Sequence, residues 1–265
     1  MPNWKPSRRL EQEYASSLWE AWLGFERRVK TAPLTAAEFL LHYAKQAATR
    51  MVSALYFGTA RTWREAAMQS GRSRQLYSAL RREMQGPVGR RVRQLISQNA
   101  LLISSFPEKV AQRVTKAATK HQQAGGRPEE LAKYIQGVTR TRATLIARTE
   151  VSKASAALTQ ARSEWLGLDW YLWRTSQDER VRKSHRKLEN VLVNYNDPPS
   201  PEALAGEKSK LGHYHAGDAP NDRCYQEPVV RPESLRWPHR VYMQGTIRYM
   251  TLAQFRLLNM RGHAA

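Results

Sequence analysis

The 265-residue chain contains a single cysteine, Cys224. An intramolecular disulfide is therefore excluded, and nothing in the cysteine usage calls for an oxidising compartment. Long apolar runs are also missing: no window approaches the roughly 18 apolar residues that read as a membrane span. The opening M-P-N-W-K-P-S-R-R-L-E lacks the apolar stretch of a secretory signal. Both absences point to a reducing cytoplasm, or to a particle assembled there. Acidic residues are scarce beside basic ones, 23 against 43, leaving a formal net charge of +20. Such an excess is poorly matched to an enzyme acting on a small neutral substrate. It suits a polyanion, nucleic acid first and an anionic membrane or acidic protein surface second; the plain alternative is a basic surface without a dedicated ligand. No Cys-x-x-Cys pair, His-Glu-x-x-His helix, internal repeat or low-complexity tract is present.

What is there begins with helical periodicity. Hydrophobic residues make up 41% of the chain, enough for a core. Leu10, Tyr14, Leu18, Ala21, Trp22, Phe25 and Val29 recur at spacings of three and four, which predicts a helix over residues 7–29. A second helix carries Phe39, Tyr43, Ala47, Met51 and Leu55, ends at Gly58, and is followed by a shorter one from Thr62. Further helices are expected from Ser73, from Val88 to Ile103 and from Pro107, with breaks at Gly86-Pro87 and Gly125-Gly126. A short helix from Pro128 to Val138 and a longer one from about Thr141 to Leu166 complete the helical part.

Residues 61–120 hold 13 Lys and Arg against 3 Asp and Glu. Arg81, Arg82, Arg90, Arg91, Arg93, Arg113 and Lys116 are the candidate phosphate contacts, since each neutralised phosphate releases counterions. A solvated face, or pairing with an acidic protein, accounts for the same residues.

After Gly167 the pattern changes. Trp170–Thr175 is aromatic and β-favouring, Val191-Leu192-Val193 is a second short strand, and Cys224–Val230 a third. Residues 196–217 are rich in Pro, Gly, Ser, Lys and Asp and read as a long loop. A helix is expected near Thr251–Asn259.

Asp178, His185, Glu189, His213, His215, Asp218, Asp222 and Cys224 gather the acid–base and metal-ligating chemistry late in the chain. Imidazole and thiolate suit Zn²⁺, and carboxylate with imidazole suits Mn²⁺ or Mg²⁺, but the spacing is not diagnostic. Histidines in ordinary hydrogen bonds at a strand–loop junction are favoured over a structural zinc site, and no metal or cofactor is assigned. A metal-dependent nuclease would use His185 as base with Asp178 and His213 beside it. Cys224 as nucleophile would need a base and a lowered pKa. Arg148 and Glu150, two apart on a helix, do not face each other.

Taken in order, A-R-T-E-V-S-K-A (Ala147–Ala154), W-x-x-x-x-D-E-R-V-R-x-S-H (Trp173–His185), a proline-rich loop and P-N-D-R-C-Y-Q-E-P-V (Pro220–Val229) resemble the phage Mu F-like head morphogenesis family over about Leu101–Val230. The resemblance implies a low-copy minor head protein of a tailed bacteriophage or prophage. Such proteins are linked to the portal, head assembly and DNA packaging or ejection, with no known catalytic activity. Two departures stand out. The family's closing Asn-Cys-Arg-Cys appears with Asp222 for the first cysteine. Its Leu-Asp-Gly appears as Leu188-Glu189-Asn190, where Asn190 can still take the left-handed turn.

The combined expectation is an α+β protein. Residues 1–100 form a basic helical region contacting partners or DNA. Residues 101–230 form the head-morphogenesis module, helices packed on a small antiparallel sheet, and 231–265 a tail with a short helix. Arg148, Glu150, Asp178, Arg180, Arg182, His185, Arg223 and Cys224 are expected to hold structure rather than to catalyse. Expected partners are portal and capsid proteins and non-specific double-stranded DNA, with no membrane and no small-molecule substrate. The expected location is the virion head, and the host cytoplasm during assembly.

Overall fold

A computed structural model describes residues 2–31, 33–69, 73–123, 128–208 and 210–262; side chains are described except at 30–35, 73, 107–136, 138 and 260–262. The chain is α+β and divides into two units. One comprises Met1–Pro6, Phe57–Arg91 and Ser155–Ala265; the other comprises Ser7–Tyr56 and Val92–Ala154.

The second unit is helical. It draws on α1 (Arg8–Thr31) and on parts of α2 (Pro33–Met68), α4 (Pro87–Gln123) and α5 (Pro128–Trp165). Of the apolar positions read from the sequence, Tyr14, Leu18, Ala21, Ala47, Met51, Leu55, Ile103, Ala147 and Val151 are buried in its core, and Ala44, Val52 and Phe106 join them, whereas Trp22 and Phe25 are half-buried and Val29 is exposed. One polar tie crosses that core. The Tyr14 hydroxyl donates to Asn99 Oδ1 at 2.8 Å, and Asn99 Nδ2 donates to the Leu95 carbonyl at 3.0 Å. Burial pushes the Tyr14 phenol up, and the Glu150 charge adds to the shift.

Three helix breaks expected from the sequence do not occur. α2 runs through Gly58, α4 through Pro107, and α5 through residues 138–141. An interior glycine costs only about 1 kcal/mol relative to alanine, and the flanking turns of α2 bury Leu55 and Trp63. Proline removes one backbone hydrogen bond, while Ile103 and Phe106 just before it stay in the core. Tertiary burial overrides local propensity at each point. The Gly125-Gly126 break lies outside the described residues.

The first unit holds the sheet. Its strands are β1 (Trp170–Arg174), β2 (Val191–Asn194), β3 (Tyr225–Pro228), β4 (His239–Met243) and β5 (Thr246–Met250), in the order β3-β1-β2-β4-β5. The sheet is mixed and mostly antiparallel. β1 pairs antiparallel with β2 and β3, and β4 with β5, but β2 pairs parallel with β4. The long connection from β2 to β4 returns the chain in the same direction, which a hairpin cannot do. The tail beyond residue 230 thus supplies two strands as well as the expected helix, α8 (Leu252–Gly262).

β1 is buried on both faces. Tyr171 and Trp173 join Val191, Val193, Tyr195, Tyr214, Ala216, Ala219, Cys224 and Tyr242 on one side. Trp170 and Leu172 join Leu192, Val229, Val241 and Phe255 on the other. The period-two alternation of a strand delivers successive residues to opposite cores, so both must be apolar. The first face is covered by the 195–224 segment, with only the one-turn helix α7 (Pro201–Leu204) in it, and the second by α8. The hairpin between β1 and β2 includes the one-turn helix α6 (Lys183–Arg186) and closes on Asn190 at φ 58°, the left-handed turn expected there.

Elsewhere in this unit a cation is fully buried. Arg162 is 0% exposed and makes a two-pronged bond to Glu83, Nε to Oε2 at 2.8 Å and Nη2 to Oε1 at 2.9 Å, with Thr59 Oγ1 also accepting. Nearby, Trp165 Nε1 donates to the Ala79 carbonyl at 2.9 Å, and a Cβ on Gly86 would sit 2.9 Å from the Trp165 ring, so only glycine fits. Removing one partner of a buried ion pair strands the other charge. Glu83→Ala should therefore cost about 3–5 kcal/mol in chemical denaturation. Arg9→Ala, which breaks the exposed helix pair with Glu13, should cause no measurable loss.

Candidate functional site

The chemistry-bearing residues of the first unit converge beneath the Tyr171–Trp173 face of β1. Arg182 precedes α6 and anchors it, Nη2 donating to the Pro220 carbonyl at 2.7 Å. Asp178 holds Arg223 from below, Oδ1 accepting Nη2 at 2.6 Å and Oδ2 lying 2.5 Å from Nη1. The same carboxylate accepts the Arg180 backbone N–H at 3.0 Å, a local turn that fixes its direction. Burial is the largest single effect on its carboxyl and raises it, but the bonds from Arg223 and the Arg180 N–H, with the Arg223 charge, together outweigh it, so the carboxyl sits below its ordinary value. The D-E-R-V-R-K-S-H and N-D-R-C stretches are thus tied to each other by charge-assisted bonds.

His185, on α6, is 1% exposed and stands at the centre. Its Nδ1 lies 3.3 Å from Cys224 Sγ and 3.3 Å from Asp222 Oδ1. Its Nε2 lies 2.8 Å from the Tyr214 hydroxyl, and its ring stands edge-on to Trp173, 5.5 Å between centroids. Tyr214 in turn donates to Glu202, 2.8 Å and 2.9 Å from its two oxygens. Asp222 also accepts two backbone N–H groups, Cys224 at 2.9 Å and Gly217 at 3.0 Å.

Burial pushes Asp222 up, but the bond to His185, its charge and the Cys224 N–H outweigh it, so the carboxyl sits below its ordinary value. Burial pushes the Cys224 thiol well up, and the Asp222 charge adds to it. A protonated buried thiol is a poor nucleophile. Burial likewise raises Tyr214, reinforced by Glu202.

The nuclease trio is not gathered at this cluster. His185 is bound as above, Asp178 is engaged by Arg223, and His213 is exposed with Nδ1 on the Pro198 carbonyl at 2.8 Å. Glu189 is spent on β1: Oε2 accepts the Thr175 N–H at 2.6 Å and its hydroxyl at 2.5 Å. His215 is buried beside Tyr171, whose hydroxyl lies 3.0 Å from Nδ1, and Tyr195. Arg148 and Glu150 belong to the second unit, where Arg148 Nε lies 3.6 Å from Glu11. Of the basic candidates, Arg81, Arg82, Arg90 and Arg93 are exposed and Arg91 is half-buried. Arg113 and Lys116 lie outside the residues with described side chains. Tyr214 and Glu202 were not singled out from the sequence. They lie in a stretch that reads as loop, and no spacing links them to His185.

Residues 108–227 match the model of the family described as Phage Mu protein F like protein. This stretch is a Mu F-like module. It contains His185, Glu202, Tyr214, Asp222 and Cys224, whereas β4, β5 and α8 lie beyond its end. An uncharacterized protein of Haemophilus influenzae is 35% identical over 143 residues, 53% of this chain. The matched stretch spans 30% of that relative's length. No solved structure matches. Among the described residues, no helix is long and apolar enough to cross a membrane.

One titration beside the Mu F-like cluster has a defined sign. Burial lowers His215 from 6.5 to about 4, partly countered by a backbone bond to Tyr195. The unfolded chain takes up the proton first, so stability falls as pH drops from 6.5 towards about 4 and levels off below. The loss is on the order of 3 kcal/mol. Denaturation midpoints across that range should fall more steeply for the natural chain than for His215→Gln, which cannot titrate.

Proposed function

We propose that the chain is a minor head protein of a tailed bacteriophage or prophage, structural rather than enzymatic. In this reading it associates with the portal and inner head and touches packaged double-stranded DNA without sequence preference, in the virion and, before that, in the host cytoplasm. The match of residues 108–227 to the Phage Mu protein F like family carries this reading. The His185 cluster supports it: its polar groups are buried and bonded to one another, an arrangement suited to holding a fold. The net charge of +20 and the exposed Arg81, Arg82, Arg90 and Arg93 support DNA contact. The dispersal of Asp178, His185 and His213 among separate partners counts against the nuclease.

Two measurements test it. Portal protein co-expressed with this chain should co-purify with it; a failure to associate at any salt concentration contradicts the portal contact. Affinity for random-sequence duplex should fall with salt, the logarithmic slope steepening by about 0.9 for each phosphate neutralised. Replacing Arg81, Arg82, Arg90 and Arg93 by alanine should flatten that slope. An unchanged slope would remove these four residues from the DNA-contacting surface.

A further inference from the structure

His185, Asp222 and Cys224 bring three kinds of metal-ligating atom together in the interior. His185 Nδ1, a carboxylate oxygen of Asp222 and Cys224 Sγ all lie within 4.8 Å of one another. Two of the separations, Nδ1 to Sγ and Nδ1 to Oδ1, are 3.3 Å. Tetrahedral zinc with bonds of about 2.0–2.3 Å to nitrogen, oxygen and sulfur sets its ligand atoms about 3.3–3.6 Å apart. The two measured edges already match such a site.

The hydrogen-bond chain fixes which imidazole nitrogen faces the cluster. The Tyr214 hydroxyl donates its hydrogen bond to the Glu202 carboxylate. Its own oxygen is then left to accept the N–H on His185 Nε2, 2.8 Å away. Nδ1 is then the ring nitrogen turned towards the Asp222 carboxylate and the Cys224 sulfur. A ligating histidine whose other nitrogen donates to an oxygen, itself held by a carboxylate, is the arrangement that orients imidazoles on metals.

We propose that His185 Nδ1, Asp222 and Cys224 bind a zinc ion that staples α6 to the segment entering β3. Thiolate, imidazole and carboxylate together select zinc over magnesium or calcium, which prefer oxygen alone. On binding, the Cys224 thiol loses its proton to solvent and the sulfur ligates as thiolate. Three protein ligands leave one position for a water. His185, Asp222 and Cys224 are 1%, 4% and 2% exposed, so the ion would sit in the interior and tie these segments together. Tyr214 is a positioning residue, acting through His185. The inference is independent of any role in a phage head.

The test uses the full chain. Protein purified from zinc-supplemented cells should retain stoichiometric zinc through gel filtration. Cobalt in its place should give a sulfur-to-cobalt charge-transfer absorption, lost in Cys224→Ser. Tyr214→Phe should keep that absorption but weaken zinc binding about 10–100-fold. A chelator should lower the melting temperature of the natural chain and leave that of Cys224→Ser unchanged. Folded natural protein that holds no stoichiometric zinc and shows no charge-transfer absorption with cobalt overturns the proposal. The three side chains would then form a hydrogen-bonded cluster only.

Discussion

The first unit depends on burying one strand on both faces. Trp170–Arg174 has two aromatic residues on one side, Tyr171 and Trp173, and Trp170 with Leu172 on the other. Its hydrogen-bond edges are filled by β2 and β3. Neither face can be left to water, because burying a large apolar side chain contributes about 1.5–3 kcal/mol. Two covers are therefore needed. The segment between β2 and β3 supplies one, and the chain after residue 230 supplies the other through Phe255 and Leu258.

The first cover explains the polar cluster. A segment with little regular structure brings backbone and side-chain polar groups under the sheet, and each must find a partner there. Asp222 takes two N–H groups, Tyr214 bridges His185 and Glu202, and Gln226 Nε2 donates to the Ala216 carbonyl at 3.2 Å. The ion pair of Asp178 with Arg223 and the bond from Arg182 to Pro220 close the edge. A cluster built this way specifies one arrangement of the cover.

Part of this was legible beforehand. The apolar run at Trp170 announced a strand, Asn190 announced its turn, and the ordered motifs announced the family. The long-range couplings were not. Glu202 and Tyr214 meet His185 across 17 and 29 positions, and a segment rich in proline and glycine carries no periodicity to reveal burial. β4 and β5 were missed although Gln244-Gly245, with φ 45° and 82°, is a two-residue turn between β-favouring runs. Helix ends were over-read because Gly58 and Pro107 were weighed as local signals, and packing overrode them. The Asp222 carboxylate, standing where the family pattern has a cysteine, lies within 4.8 Å of the candidate ligand atoms of His185 and Cys224.

The account holds that this chain is a component of a phage head, with the Mu F-like module as a closed scaffold. Quantitative mass spectrometry of gradient-purified heads addresses that claim most directly. The account predicts the chain at a fixed, low ratio to the major capsid protein, retained through washing at a salt concentration that strips free DNA-binding proteins. Heads that contain portal and capsid proteins but no detectable copy of this chain, with all of it in the soluble fraction, would contradict it.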